Sequence, residues 1–293
     1  MDETNSSLTL QAIGVFSCSR QYPYEAPRQG NLADENETGV LRLRPGQNFE
    51  QALRELECFE RLWLIYGFNR NTGWKPVVRP PRAGAPKVGV FASRSPYRPN
   101  ALGLSCVELV EISGLSIVVR GFDLLDGTPV YDIKPYLAYA DSFADAAAGW
   151  TTDLDRESRV FEITIAPKAR EKIDWLKTNG GPDLERFIRI QLREDPDDAS
   201  RKRVSHEDGT NPLARTLAYR TFRVDFVLPA GASPRPVQED SVTPDTLDSP
   251  EPRLTAAMDS TTHAAQTIQI TNIRSAYTNA RLDDPRVPDQ YQD

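Results

Sequence analysis

The densest run of chemically unusual residues in the chain is Gly89-Val-Phe-Ala-Ser-Arg-Ser-Pro-Tyr-Arg-Pro-Asn-Ala-Leu-Gly-Leu104. Pro96 and Pro99 fix their own φ and push the residues before them towards extended geometry, so Ser95 to Asn100 reads as a rigid, non-repetitive loop. Arg94 and Arg98 project from that scaffold, an arrangement suited to gripping a carboxylate or phosphate with two parallel hydrogen bonds. A proline-rich connector with solvated arginines is the competing reading. A second run is Asp123-Leu-Leu-Asp-Gly-Thr-Pro-Val-Tyr-Asp-Ile-Lys-Pro-Tyr136. Its Asp126-Gly127-Thr128-Pro129 is a turn signal between apolar runs. Asp132, Lys134 and Tyr136 then alternate and share one face of a strand, either a site or a solvent-facing surface. A third run is Glu25-Ala-Pro-Arg-Gln-Gly30, and a fourth, Gly73 to Arg82, interleaves Trp74 with Lys75, Arg79 and Arg82. The fourth pairs a stacking ring with phosphate-seeking cations, as single-stranded RNA binding requires, although a plain basic loop has the same composition.

Charge supports a nucleic-acid partner only when read by segment. The whole chain of 293 residues carries a net charge of −7. From Arg61 to Val107, however, the charged residues are Arg61, Arg70, Lys75, Arg79, Arg82, Lys87, Arg94 and Arg98, with no Asp or Glu, and binding depends on such local patches. Other chemistries lack raw material. There are two histidines, His206 and His263, and three cysteines far apart in sequence, Cys18, Cys58 and Cys106. Ser-His-Asp catalysis, histidine or cysteine metal ligation and a disulfide framework are therefore disfavoured, and no metal is expected. No glycine fingerprint follows a strand and no phosphate-cradling loop of Walker type is present. Apolar runs such as Leu62 to Phe68 fall far short of the roughly 20 residues a membrane helix needs. With an acidic, polar start and no signal-like apolar stretch, the expectation is a cytoplasmic protein with no membrane partner.

The elements that must position these residues are mostly strands. β-branched runs bounded by Gly, Pro and Asn recur at Leu10 to Phe16, Leu62 to Phe68, Val88 to Phe91, Leu104 to Ile112, Leu115 to Phe122 and Val130 to Ile133, as short strands do. One helix is expected where Phe49, Ala52, Leu53 and Leu56 fall on one face, with Asn48 as its N-cap. Without regular helices between strands, a doubly wound parallel sheet is disfavoured. The fold class is mainly β: an antiparallel β-barrel over 8–150, a small α+β domain over 157–229, and a mostly disordered, acidic tail rich in Pro, Ser and Thr over 230–293. The smaller domain is expected to hold a strand (Val160 to Ile165), helices (Lys168 to Lys177 and Pro182 to Leu192) and an alternating strand ending at Leu228. Within the tail, Thr267 to Ile273 alternates and has the pattern of an edge strand.

Taken together, Pro27-Arg-Gln29, Trp74 to Arg82, Gly89 to Gly103 and Asp123 to Tyr136 closely resemble the TsaA-like (YaeB, TrmO) family, from about Leu8 to Ser142 and more weakly through the second domain. The resemblance implies a non-Rossmann β-barrel methyltransferase using S-adenosyl-L-methionine. It further implies methylation of N6 of N6-threonylcarbamoyladenosine at position 37 in the tRNA anticodon stem-loop, by a homodimer. Carried over motif by motif, the cofactor-binding residues are Pro27, Arg28, Gln29, Phe68, Asn69, Arg94, Leu104, Asp126, Gly127, Thr128 and Pro129. Because the acceptor nitrogen must shed a proton, Asp126 and Asp132 are candidate catalytic carboxylates. Lys75, Arg79, Arg82 and Arg98 are expected on phosphates, and Trp74 and Tyr97 on bases. Phe68-Asn69 replaces the Phe-His of many family members, which excludes a proton relay through a histidine there. An S-adenosylmethionine enzyme with another acceptor and a non-catalytic nucleotide- or RNA-binding barrel are the alternatives.

Overall fold

The computed structural model describes residues 8–27, 30, 37–81, 85–152, 161–194, 196, 203–206, 211–231 and 266–275. Two compact units divide the chain, the first extending to Ala148 and the second beginning at Gly149, with 81–86 counted with the second.

In the first unit, β1 (Gly14–Ser17), β2 (Thr38–Leu43), β3 (Arg61–Gly67), β6 (Leu102–Ser113), β7 (Ser116–Arg120) and β8 (Thr128–Pro135) close into a barrel of order β1-β2-β7-β6-β3-β8. All of its pairings are antiparallel. A two-residue ribbon, β4 (Val77–Val78) with β5 (Val88–Gly89), stands outside the barrel. Period-two patterning explains the closure: Phe16, Leu41, Leu62, Leu64, Val107, Ile117, Val119 and Val130 all point inward and are fully buried. Each contributes on the order of 1.5–3 kcal/mol to folding. Phe16 and Phe122 meet edge to face at 4.9 Å. They pass over Gly39, where a Cβ would come within 2.2 Å of the Phe16 ring.

The expected helix is shorter than its apolar spacing suggests. Only Phe49–Ala52 is α-helical, and Asn48 takes a left-handed conformation (φ 57°) and makes no capping hydrogen bond. Glu55 turns left-handed again (φ 65°) and a 3-10 turn, Leu56–Cys58, follows. Leu53 nevertheless reaches the core, so burial survives while helical continuity does not. Strand β2 is absent from the sequence expectations, because Gly39 and Arg42 blur the apolar pattern of Thr-Gly-Val-Leu-Arg-Leu.

The second unit is a five-stranded sheet of order β10 (Val204–His206), β11 (Ala214–Tyr219), β12 (Phe222–Val227), β13 (Gln266–Ser275), β9 (Phe161–Ile165). Helices Pro167–Thr178 and Leu184–Leu192 bury Ile173, Leu176, Phe187 and Ile188. Asp183 caps the second helix by accepting a 3.0 Å hydrogen bond from the Arg186 N–H. The alternating segment of the tail, expected at an edge, is instead an interior strand, antiparallel to β12 and parallel to β9. Ile268, Ile270 and Ile273 are fully buried there. That burial outweighs the polar composition around the segment; the other tail positions, 232–265 and 276–293, lie outside the described residues.

Candidate active site at one end of the barrel

The turn that opens β8 is built by backbone geometry. Thr128 N–H bonds to the Leu125 carbonyl at 3.3 Å and Gly127, at the third position, has φ 76°, a conformation that favours glycine. Its neighbours hold it from several sides. Asp126 N–H bonds to the Arg20 carbonyl at 2.8 Å and Gly127 N–H to the Phe16 carbonyl at 2.9 Å. The Asp126 carboxylate accepts the Cys18 N–H at 3.1 Å, while burial raises the Cys18 thiol pKa. Asn69 donates its side-chain amide to the Gly127 carbonyl at 3.3 Å. Arg70 bridges the Asp126 carbonyl, at 2.5 Å, and the Gln21 carbonyl. Thus Asn69 and the Asp126–Pro129 turn are brought together, and Arg70 is a clamp that the sequence showed only as one more cation.

Pro27 is buried and the chain beyond it returns against the segment entering that turn. At Gly30 a Cβ would stand 2.0 Å from the Gly121 carbonyl oxygen, so the two backbones touch. Arg28 and Gln29 lie outside the described residues. Beneath this approach Arg20 is fully buried. It ion-pairs with Glu37, donates to the Phe122 carbonyl at 2.7 Å and lies 4.3 Å over the Phe122 ring.

The barrel interior is apolar except at this end. Tyr66 on β3 and Ser105 on β6 point inward, their hydroxyls 3.2 Å apart. Both reach the Asp123 carboxylate, Tyr66 at 3.4 Å and Ser105 by a shorter bond. The Tyr66 ring crosses Gly103, where a Cβ would meet it at 2.4 Å, and stacks edge to face on Phe68 at 5.4 Å. Burial pushes the Asp123 carboxyl above the ordinary carboxylate range. Burial, reinforced by the Asp123 charge, also raises the Tyr66 hydroxyl, while nearby Arg94 pulls the other way. Tyr66, Ser105 and Asp123 were missed as site residues. Their signal lies in the alternation Leu62-Leu64-Tyr66 and Gly103-Ser105-Val107, which puts polar atoms on the inward face.

Arg94 is exposed and makes no ion pair or hydrogen bond among the described residues. Leu104 faces outward on β6, opposite Ile65, and is 55% exposed. Arg98 is spent on its own loop, donating to the Val90 and Ser93 carbonyls at 3.0 and 2.8 Å and lying 5.7 Å over the Phe91 ring. Trp74 is 53% exposed, and Lys75 sits 4.7 Å over Tyr97. Arg79 is half-buried and Arg82 is outside the described residues. Asp132 faces outward, its carboxylate on the Ile133 N–H at 2.9 Å and on Lys134 at 3.1 Å. It does not join Asp126.

The residues at this end suit S-adenosylmethionine by charge and shape. Arg94 is a free guanidinium for a carboxylate, Leu104 is an apolar surface for a base, and Gly127 leaves open space beside the turn, with nothing within 4 Å of where a Cβ would stand. Residues 15–142 match the family "tRNA-methyltransferase O N-terminal domain". The chain is 38% identical over 204 residues to the Escherichia coli protein named tRNA (adenine(37)-N6)-methyltransferase, covering 67% of this chain and 85% of that one. It is also 38% identical over 183 residues to a Pseudomonas aeruginosa protein named putative S-adenosylmethionine-dependent methyltransferase RcsF, covering 57% of this chain and 75% of the other. The crystal structure of TrmO from Pseudomonas aeruginosa shares the fold, with a TM-score of 0.56 at 23% identity over 92% of this chain and 99% of that one. The chain therefore belongs to the tRNA-methyltransferase O family of S-adenosylmethionine-dependent tRNA (adenine-N6) methyltransferases.

Proposed function

We propose that the protein methylates N6 of N6-threonylcarbamoyladenosine at position 37 of tRNA, using the end of the barrel around Asn69, Arg94 and Gly127. The observation that carries this reading is the Asp126–Pro129 turn clamped by Asn69 and Arg70 beside the Tyr66–Asp123 cluster, within the segment that matches the family. S-adenosylmethionine, when bound, supplies an activated methyl group. The chain's own work is then to orient the acceptor nitrogen and to take its proton. Arg94 pairs with the methionine carboxylate, Phe68, Leu104 and the turn flank the remainder, and Pro27, Arg28 and Gln29 are further cofactor contacts. Trp74, Lys75 and Tyr97, in the exposed loops before β4 and after β5, meet the anticodon stem-loop, stacking on bases and neutralising phosphate. Arg79 and Arg82 are further phosphate contacts, whereas Arg98 holds its own loop. Leu102 and Leu104, exposed on the outer wall, suit contact between two copies, and we assign the active form as a homodimer.

The test is transfer of labelled methyl to tRNA carrying threonylcarbamoyladenosine and to matched tRNA lacking it. Label enters only the modified tRNA and is lost with Arg94→Ala. Equal labelling of both tRNAs contradicts the assigned acceptor.

A further inference from the structure

We infer that Asp123 is the proton acceptor of the methyl transfer, reached through the hydroxyls of Tyr66 and Ser105. The inference rests on the reading that methyl transfer takes place at this end of the barrel, and it deepens that reading by naming where the proton goes.

Of the two carboxylates singled out in the sequence, Asp126 is engaged by the Cys18 N–H and Asp132 faces outward onto Lys134. Asp123 differs from both. It is sealed among Tyr66, Ser105 and the barrel wall, and among the described residues no Lys or Arg lies within ion-pair distance. The charged and titratable groups around it are few. Arg20, following β1, is committed to Glu37 and the Phe122 carbonyl; Tyr66 faces Asp123 from β3, Ser105 from β6, and Arg94 lies beyond Tyr66. A buried carboxylate without a cation is costly, and an apolar side chain of similar size there would make a more stable barrel. Burial holds its carboxyl above the ordinary range, which brings a carboxylate closer to the neutral pH at which a general base works best.

The contacts form a triangle, in which Tyr66 reaches Asp123 both directly, at 3.4 Å, and through Ser105. Each hydroxyl has one proton and two lone pairs, so Tyr66 can pass its proton to Ser105, at 3.2 Å, as Ser105 passes its own to Asp123. The acceptor nitrogen forms its bond to the methyl carbon while the carbon–sulfur bond breaks and its electron pair stays on sulfur. The proton lost by the nitrogen goes to the Tyr66 oxygen, the Tyr66 proton to Ser105, and the Ser105 proton to Asp123. Both hydroxyls end neutral and the carboxylate ends protonated, to be emptied to water after product leaves.

The experiment compares the intact protein with Asp123→Asn, Tyr66→Phe and Ser105→Ala. It measures kcat from pH 5 to 9 on the modified tRNA, S-adenosylmethionine affinity by calorimetry, and the infrared band of a protonated carboxyl in the free protein. Asp123→Asn and Tyr66→Phe are expected to lower kcat by about 100-fold or more, the scale of general-base catalysis, and Ser105→Ala by about tenfold because water can refill the gap. Cofactor affinity stays within about threefold, the acidic limb of the kcat profile disappears in Asp123→Asn, and the carboxyl band, titrating above the ordinary carboxylate range, goes with it. An Asp123→Asn protein that keeps kcat and the acidic limb, or keeps the band, overturns the relay. If Asp123→Asn does not fold, Tyr66→Phe decides, and undiminished kcat overturns the relay. Wild-type protein that methylates no tRNA overturns the functional reading itself, a result distinct from an active wild type with equally active variants.

Discussion

In the barrel Arg20 is fully buried against Glu37 and Asp123 is sealed beneath Tyr66 and Ser105. In the second unit Arg170, Glu185 and Arg189 form an ion network in which every partner keeps more than a quarter of its side-chain surface in water. Burying charge costs several kcal/mol per ion before partners offset it, whereas an exposed pair has little effect on folding in either direction. The barrel thus retains its expensive groups at one end only, the end where the Asp126–Pro129 turn, Asn69 and the Gly30–Gly121 approach converge. The second unit also buries Arg215, which donates to the Pro212 and Ala214 carbonyls, but its Arg170–Glu185–Arg189 network lies where losing it hardly matters. Costly burial and candidate chemistry coincide.

This contrast can be broken first at Arg20. Arg20→Leu removes the fully buried partner of the Glu37 carboxylate, and the barrel is expected to lose about 3–5 kcal/mol, the usual result of halving a buried pair, read by urea titration with hydrogen exchange in β1 and β2. A loss below about 1 kcal/mol would put the pair in the same class as the exposed network. A smaller effect is expected at Arg70, whose guanidinium bonds to two carbonyls at the protein surface. Arg70→Ala leaves folding nearly intact but loosens the turn, weakening S-adenosylmethionine binding about tenfold, or about 1.4 kcal/mol, by calorimetry. Unchanged affinity would detach the turn from the cofactor.

Acid sharpens the contrast with the smallest effect. The hydrogen bond and charge of Arg170, joined by Arg189, lower the Glu185 pKa to about 2 from an ordinary 4.5. Its contribution is therefore complete above pH 4.5 and fades as pH falls towards 2. Because its partners are exposed, the loss is at most about 1 kcal/mol, and Glu185→Gln should remove this slope from the unfolding of the second unit. Asp123 has the opposite sign. With its folded pKa raised, the folded barrel holds more protons than the unfolded chain, so this group favours folding as pH falls and opposes it as pH rises from about 4. Asp123→Asn should abolish that dependence, and a barrel whose acid response is unchanged by the substitution would contradict burial as the cause of the raised Asp123 pKa.

Much of this was legible in residue order. Alternation marked β3, β6, β7 and β8, and Asp126-Gly127 marked the turn, because period-two burial and a left-handed third position leave local signatures. The exposed Trp74 and the rigid loop around Pro96 and Pro99 were also visible. The Phe49–Leu56 spacing misled, since left-handed residues at Asn48 and Glu55 break a helix whose apolar positions still reach the core. Thr267 to Ile273 looked like an edge strand. Its interior place depends on pairing with β9, about a hundred residues away, and no local pattern records such a partner. Arg98 and Arg70 illustrate the same limit: both are arginines in a basic segment, but one is held by carbonyls of its own loop and the other reaches across to Gln21 and Asp126.

The most direct test of the central claim, that cofactor chemistry belongs to the Gly127 end of the barrel, is calorimetric titration of S-adenosylmethionine into the intact protein, Arg94→Ala and Glu108→Gln. Glu108 pairs with Arg120 and lies opposite Arg61, the first residue of β3 and the other end of that strand from Gly67. Arg94→Ala is expected to weaken binding by about tenfold or more, the loss of one charge-assisted hydrogen-bonding partner, while Glu108→Gln leaves it unchanged. Undiminished binding by Arg94→Ala together with lost binding by Glu108→Gln would place the cofactor elsewhere and contradict the account.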